Sequence, residues 1–129
     1  MSSDEHPRFV LHEHCSRHHH FDLRLERDGV LKSWAVPKGL PDKPGERRLA
    51  VAVEDHPAGY LGFKGIIPGG EYGAGEVKIH DTGTYEPLCW RDDRIEVHLY
   101  GQACSGKYVL IRFKKAGDKG WLVIRAKNE

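Results

Sequence analysis

Between His14 and Glu26 the chain reads His14-Cys15-Ser16-Arg17-His18-His19-His20-Phe21-Asp22-Leu23-Arg24-Leu25-Glu26. Four of the nine histidines lie here, and His12 just before makes five. The second half alternates strictly. On a strand, Phe21, Leu23 and Leu25 point one way and His20, Asp22, Arg24 and Glu26 the other. One face is apolar enough to sit on a core. The other presents an imidazole, a carboxylate and a guanidinium in a row, roughly 6–7 Å apart. Neutral imidazole is a ready metal ligand near neutral pH. Two histidines and a carboxylate leave half an octahedron open for substrate and water, a donor set suited to manganese or ferrous iron, with zinc as a further candidate. His14, His20 and Asp22 fit that set if the connection between strands folds back. The plain alternative is a solvated histidine run, which is the expectation for His18 and His19 (or a place just outside the ligand shell). Arg24 can neutralise Asp22 or Glu26, the common fate of a strand arginine, or fork onto a phosphate beside a metal.

Further along, Arg48 and His56 share strand parity across Ala50, Ala52 and Glu54. The alanines either leave space for a ligand above that strand or relieve crowding inside a barrel. His56, before Pro57, has the near-neutral titration of a proton donor. Lys38 is a solvated loop lysine or a phosphate contact. Tyr60 is the tyrosine to watch, while Trp34, Trp90 and Trp121 read as packing. The glycine-rich 65–75 passage lacks the lysine and hydroxyl spacing of a nucleotide-binding loop.

The elements that must position these residues are short strands. Arg8 to His12, His20 to Arg27, Val30 to Val36 and Arg48 to Glu54 come first, with Asp28-Gly29 a two-residue hairpin signal. Glu76 to His80, a turn at Asp81-Thr82-Gly83, and Thr84 to Leu88 read as a second hairpin. Ile95 to Tyr100, Tyr108 to Phe113 and Trp121 to Ala126 complete a meander. Pro37 to Gly45 is a loop, and residues 1–7 are expected to fray. No convincing amphipathic helix appears. The expected fold is all-β, a compact closed antiparallel barrel of about eight strands with long loops, because closure removes exposed edges.

The chain has 129 residues, which suits a single domain spanning 1–129. Its 39 % apolar content fits a globular protein. No apolar run reaches spanning length and the N-terminus is no signal peptide, so the expected compartment is the cytoplasm, with no membrane partner. The three cysteines form neither a disulfide framework nor a Cys-x-x-Cys site. With a net charge of +1, any phosphate-binding surface must be local.

In this order and at these spacings, several motifs resemble the 3′-phosphoesterase domain of prokaryotic DNA ligase D and its stand-alone relatives. They are His14 through Arg24, Leu31 through Gly39, Arg48-Leu49-Ala50-Val51 with Val53 through Pro57, Tyr60, and Ile67-Pro68 through Gly75-Glu76-Val77. The resemblance runs from Arg8 to about Trp121. It implies a barrel with a crescent-shaped site and a manganese-dependent enzyme, other divalent transition metals substituting. Such an enzyme removes a 3′-terminal ribonucleoside to leave a 3′-phosphate, then removes that phosphate to leave a 3′-hydroxyl. By position, His14, His20 and Asp22 would hold the metal. Arg24, Arg48 and His56 would hold the scissile phosphate, with Lys38 and Tyr60 nearby. The implied partners are DNA or RNA/DNA 3′ ends of primer–templates, together with DNA ligase, a repair polymerase and Ku, and the expected state is a monomer. Ligase-embedded members carry a longer charged N-terminal arm than the seven residues before Arg8, so those contacts are expected to be missing. His12 stands where the family often has glutamine. Two other readings stand beside this one: a non-catalytic DNA-end binding module, and an iron oxygenase whose facial triad His20-x-Asp22 imitates.

Overall fold

The computed structural model describes residues 6–67 and 75–127. Nine strands run β1 Arg8–Cys15, β2 His20–Arg27, β3 Val30–Val36, β4 Arg47–Pro57, β5 Gly65–Ile67, β6 Gly75–Trp90, β7 Arg94–Tyr100, β8 Ser105–Arg112 and β9 Gly120–Arg125. Their hydrogen-bonded order is β1-β2-β3-β4-β9-β8-β7-β6-β5, and β1 also pairs with β6. That last pairing closes eight antiparallel strands into a barrel, and β5 adds to β6 where β7 has not yet joined it. The helical content among the described residues is two 3-10 turns, Ala58–Gly62 after β4 and Lys114–Ala116 before β9. The all-β barrel expected from the alternating patterns is what forms. No helix among the described residues is long and apolar enough to cross a membrane.

Strict alternation sorts side chains between the barrel interior and its outer face. Phe9 and Leu11, Leu23 and Leu25, Trp34 and Val36, Ala50, and Tyr85, Val97, Leu99, Leu110 and Val123 form one buried cluster inside. Trp34 meets Trp121 edge-on, ring centroids 5.8 Å apart. Asp28 and Gly29 both take positive φ, 54° and 84°, the two-residue turn that matches strand twist. The expected fraying of the first residues falls largely on 1–5, outside the described residues. Pro7 is tied down, its carbonyl accepting from the Tyr85 N–H.

Two sequence expectations are corrected. Asp81-Thr82-Gly83 is no hairpin turn. It lies in the middle of the 16-residue β6, pairing with Leu11, Val10 and Phe9 of β1. Aspartate and glycine here answer a different need. The buried Asp81 carboxylate accepts backbone N–H groups from Thr82, Gln102, Ala103 and Cys104 at 2.9, 3.1, 3.0 and 2.6 Å, and so folds the β7–β8 turn onto β6.

The second correction concerns the parity of β4. Of the two readings of Ala50 and Ala52, relief of crowding inside the barrel is the one that holds, and they open no ligand space. Trp34 pairs with Ala52 and Trp121 with Ala50, so both alanines lie under tryptophans inside the barrel. The parity that seemed to unite Arg48 with His56 is broken. Ser33 pairs with Val53, yet Leu31 pairs with His56, so β4 carries one extra residue in between. This bulge turns His56 onto the outer face, whereas Arg48, opposite Val123, keeps the interior parity.

Removing the Asp81 carboxylate leaves buried N–H groups without their charged acceptor. Asp81→Ala is expected to lower unfolding free energy by on the order of 3 kcal/mol. Urea denaturation measures it; a midpoint within error of wild type would show that water replaces the carboxylate at no cost.

Candidate metal centre and anion clamp

The β1–β2 hairpin register supplies the site. His14 pairs with His20, His12 with Asp22 and Val10 with Arg24. All of these face outward, because Leu11, Leu23 and Leu25 take the interior. The connection folds back as the metal reading requires, and His14, His20 and Asp22 converge with their ligand atoms within 4.8 Å of one another. The His14 and His20 rings are 4.9 Å apart and His20 Nε2 lies 3.4 Å from Asp22 Oδ2. Two details fit a cation. His20 Nδ1 donates to the His18 carbonyl at 2.8 Å, leaving Nε2 free to coordinate. His14 is 8 % exposed, and its buried Nε2 has no hydrogen-bond partner among the described residues. An orphaned imidazole nitrogen aimed at an imidazole and a carboxylate is what a divalent metal would satisfy. His18 thus acts through its backbone, just outside the ligand set. His19, half-exposed, turns instead to Glu13.

Charge at the triad is set by its neighbours. The Asp22 hydrogen bond raises the His20 pKa above its ordinary value against the effect of burial. Burial alone would push the Asp22 carboxyl up, but the His20 hydrogen bond and the charges of Arg24, His20 and His14 outweigh it and hold it down.

Arg24 is 4 % exposed and sits one same-face step beyond Asp22. Its Nε donates to His12 Nδ1 at 3.1 Å, Nη1 to His56 Nδ1 at 3.1 Å and Nη2 to Asp22 Oδ2 at 3.3 Å. The guanidinium also lies 5.0 Å from the Tyr60 ring centroid. A guanidinium carries five N–H donors, so an N–H on each terminal nitrogen remains for a ligand. Because arginine can only donate, His56 Nδ1 accepts and its ring proton sits on Nε2. Nδ1 is also 3.1 Å from the Glu54 carbonyl, where it would donate if the ring took a second proton. Burial and the Arg24 charge lower the His56 pKa. Tyr60, on the 3-10 turn after β4, packs its ring 4.8 Å from His56 and stacks on Phe63. This short segment caps the outer face.

Of the expected residues, the structure brings His14, His20, Asp22, Arg24, His56 and Tyr60 together. It places Arg48 and Lys38 differently. The Arg48 guanidinium donates to the Lys38, Gly39 and Leu40 carbonyls and pairs with Glu46 at 3.0 Å. Val36 pairs with Phe21, so this loop leaves β3 on the flank of His20, with Lys38 exposed on it. Arg48 therefore fastens the rim. The residue sequence reasoning passed over is His12. Fully buried, it accepts from Arg24 on Nδ1, and its Nε2 must then donate to the Phe63 carbonyl at 2.9 Å. One imidazole joins the clamp to the cap. Its two-residue spacing from His14 was the available signal.

Burial, reinforced by the Arg24 charge, lowers the His12 pKa from 6.5 to about 4. The sign follows from proton counting. Below pH 6.5 the unfolded chain binds a proton that the folded chain refuses, so stability is full above 6.5 and falls until about pH 4. The loss from this group is on the order of 3 kcal/mol. Glutamine can accept from Arg24 and donate to Phe63 without titrating. Urea unfolding against pH is expected to show a shallower acid slope for His12→Gln over that window; an unchanged slope would assign the loss to other groups.

The residues that build this site lie within a stretch that matches a known family. The family described as "DNA Ligase D 3'-phosphoesterase domain" matches residues 12–112. The "Multifunctional non-homologous end joining protein LigD" of Mycobacterium bovis is 52 % identical over 125 residues, covering 94 % of this chain and 16 % of the relative. The protein of the same name from Mycolicibacterium smegmatis is 50 % identical over 133 residues (95 % and 17 %), and that from Pseudomonas aeruginosa 43 % over 130 (94 % and 15 %). The chain spans about a sixth of the length of these relatives. A match across most of the barrel, including both strands that carry the triad, leaves one assignment: the chain belongs to the DNA ligase D 3′-phosphoesterase domain family.

Proposed function

We propose that the chain is a manganese-dependent 3′-end-healing phosphoesterase, acting on DNA or RNA/DNA primer–template ends to leave a 3′-hydroxyl for end joining. The observation that carries this is the adjacency of the His14–His20–Asp22 triad and the buried Arg24, with uncommitted N–H donors, on one barrel face. Mixed nitrogen and oxygen donors suit manganese and leave room for other divalent metals. Polarisation of a phosphate oxygen is the chemistry a divalent cation supplies when bound there.

The chain's own residues supply the rest. Arg24 offers its terminal N–H groups to the equatorial oxygens, already oriented by His12, His56 and Asp22 and needing no rearrangement as charge develops. His56, neutral with its proton on Nε2, donates to the phosphate or the leaving oxygen, and a proton arriving on Nδ1 has the Glu54 carbonyl to receive it. Tyr60 closes the site against His56 and is placed to meet the terminal sugar. Arg48 holds the Lys38 loop as a rim that the next phosphate would cross. Within a ligase-D assembly, the ligase, the polymerase and Ku would supply or consume such ends.

The test is a labelled primer–template ending in one 3′ ribonucleotide, incubated with manganese. Loss of the ribonucleoside and then of the 3′-phosphate is expected; tight end binding without cleavage in any divalent ion would make the chain a binding module. His14→Ala, His20→Ala and Asp22→Ala are each expected to lose manganese binding and cleavage together. Arg24→Lys keeps the charge but loses the fork. It is expected to keep manganese and lose roughly 100-fold or more in single-turnover rate. Full activity in Arg24→Lys would move the clamp to Lys38 and His56.

A further inference from the structure

The same hairpin carries a second set of ligands, two on the other face of β1 and one in the connection to β2. Glu13 and Cys15 alternate with His14 along β1 and take the interior parity of Phe9 and Leu11, at the end of the barrel. His19 immediately precedes His20. The carboxylate, thiol and imidazole of Glu13, Cys15 and His19 lie with their ligand atoms within 4.8 Å of one another. His19 Nε2 is 2.8 Å from Glu13 Oε2, and the His19 ring is held edge-on by Phe21 at 5.4 Å. The backbone at Cys15 is fixed. Gly75 of β6, at φ 128°, packs so closely that a Cβ there would stand 2.5 Å from the Cys15 carbonyl and 2.8 Å from Ser16 Cβ. Glu13 and Cys15 are partly exposed and His19 is exposed, so an ion can enter.

We propose that Glu13, Cys15 and His19 form a second metal site, selective for a zinc-class cation rather than manganese. A thiolate is a soft donor that favours zinc, and three protein ligands with one water complete a tetrahedron. Thiolate and carboxylate together balance the charge of a divalent ion. On binding, the Cys15 thiol gives up its proton to solvent and His19 Nε2 exchanges its contact with Glu13 for the metal. The site staples the end of β1 to the start of β2. His14 lies between two of its ligands and His20 follows the third, so a cation there holds the hairpin that presents the nitrogen–oxygen triad. It needs no part of the proposed phosphoesterase reaction to exist.

Cobalt is the probe, because a thiolate–cobalt bond gives a charge-transfer absorbance that a site of two histidines and an aspartate cannot. In Asp22→Asn, which disables the other site, the full chain is expected to bind one cobalt per molecule with that band. Zinc is expected to abolish the band and manganese to leave it. Cys15→Ser is expected to lose the band while wild-type manganese binding persists, showing a folded chain. Glu13→Gln and His19→Ala are expected to weaken cobalt about ten-fold or more. Absence of the band in wild type, its survival in Cys15→Ser, unchanged affinity in both Glu13→Gln and His19→Ala, or displacement by manganese would each overturn the proposal.

Discussion

The buried guanidinium of Arg24 is the interaction on which the rest of the outer face depends. A desolvated cation is tolerated only where its donors are met, and removing one partner leaves charge uncompensated in a low-dielectric setting. Its partners come from separate parts of the chain: His12 from β1, Asp22 from β2, His56 from the β4 bulge and Tyr60 from the cap. The cation therefore fixes the relative positions of elements that the apolar core, lying on the opposite face of the sheet, touches only indirectly. Asp22 serves both neighbours at once, balancing Arg24 and holding His20. The proposed clamp and the metal ligands are in this sense one network.

The barrel supplies the division of labour. Its interior is apolar and closed by the tryptophans, so the outer face of β1 to β4 need not contribute to the core and can hold polar chemistry. That face is covered all the same, since Tyr60 and Phe63 stack over it and the Phe63 carbonyl ties the cap to His12. Shielding from water strengthens each charged contact beneath.

What could be read from the sequence followed this geometry. His20, Asp22 and Arg24 were legible because β2 alternates without interruption, and Phe21, Leu23 and Leu25 mark its inner face. His14 needed the hairpin register, which the resemblance supplied and the alternation could not. His56 does reach Arg24, but not by the parity it seemed to share with Arg48: that parity assumed a regular strand, and a bulge leaves no clear trace in residue types. Arg48 looked like a phosphate fork because arginine next to an alanine-spaced strand offers room, but tryptophans from neighbouring strands fill it. Asp81 and Gly83 carry turn chemistry, so local propensity pointed to a turn; the need to gather N–H groups from residues about twenty positions away is invisible locally. His12 was passed over because its partners, Arg24 and Phe63, are remote in sequence.

The β4 bulge has a consequence for how this barrel can vary over time. Between the Ser33–Val53 and Leu31–His56 pairs the strand carries one residue more than regular pleating needs. Glu54 and Asp55 are exposed there, and substitutions at such positions cost little. Loss of a single residue from the same stretch would restore regular pleating and leave the imidazole two positions after Val53, still opposite Leu31 on the Arg24 side. Drift in composition and the loss of one residue are thus both permitted here, and a lineage that shortened this segment would keep its barrel and the imidazole's side of the sheet while giving up the local twist that the bulge adds.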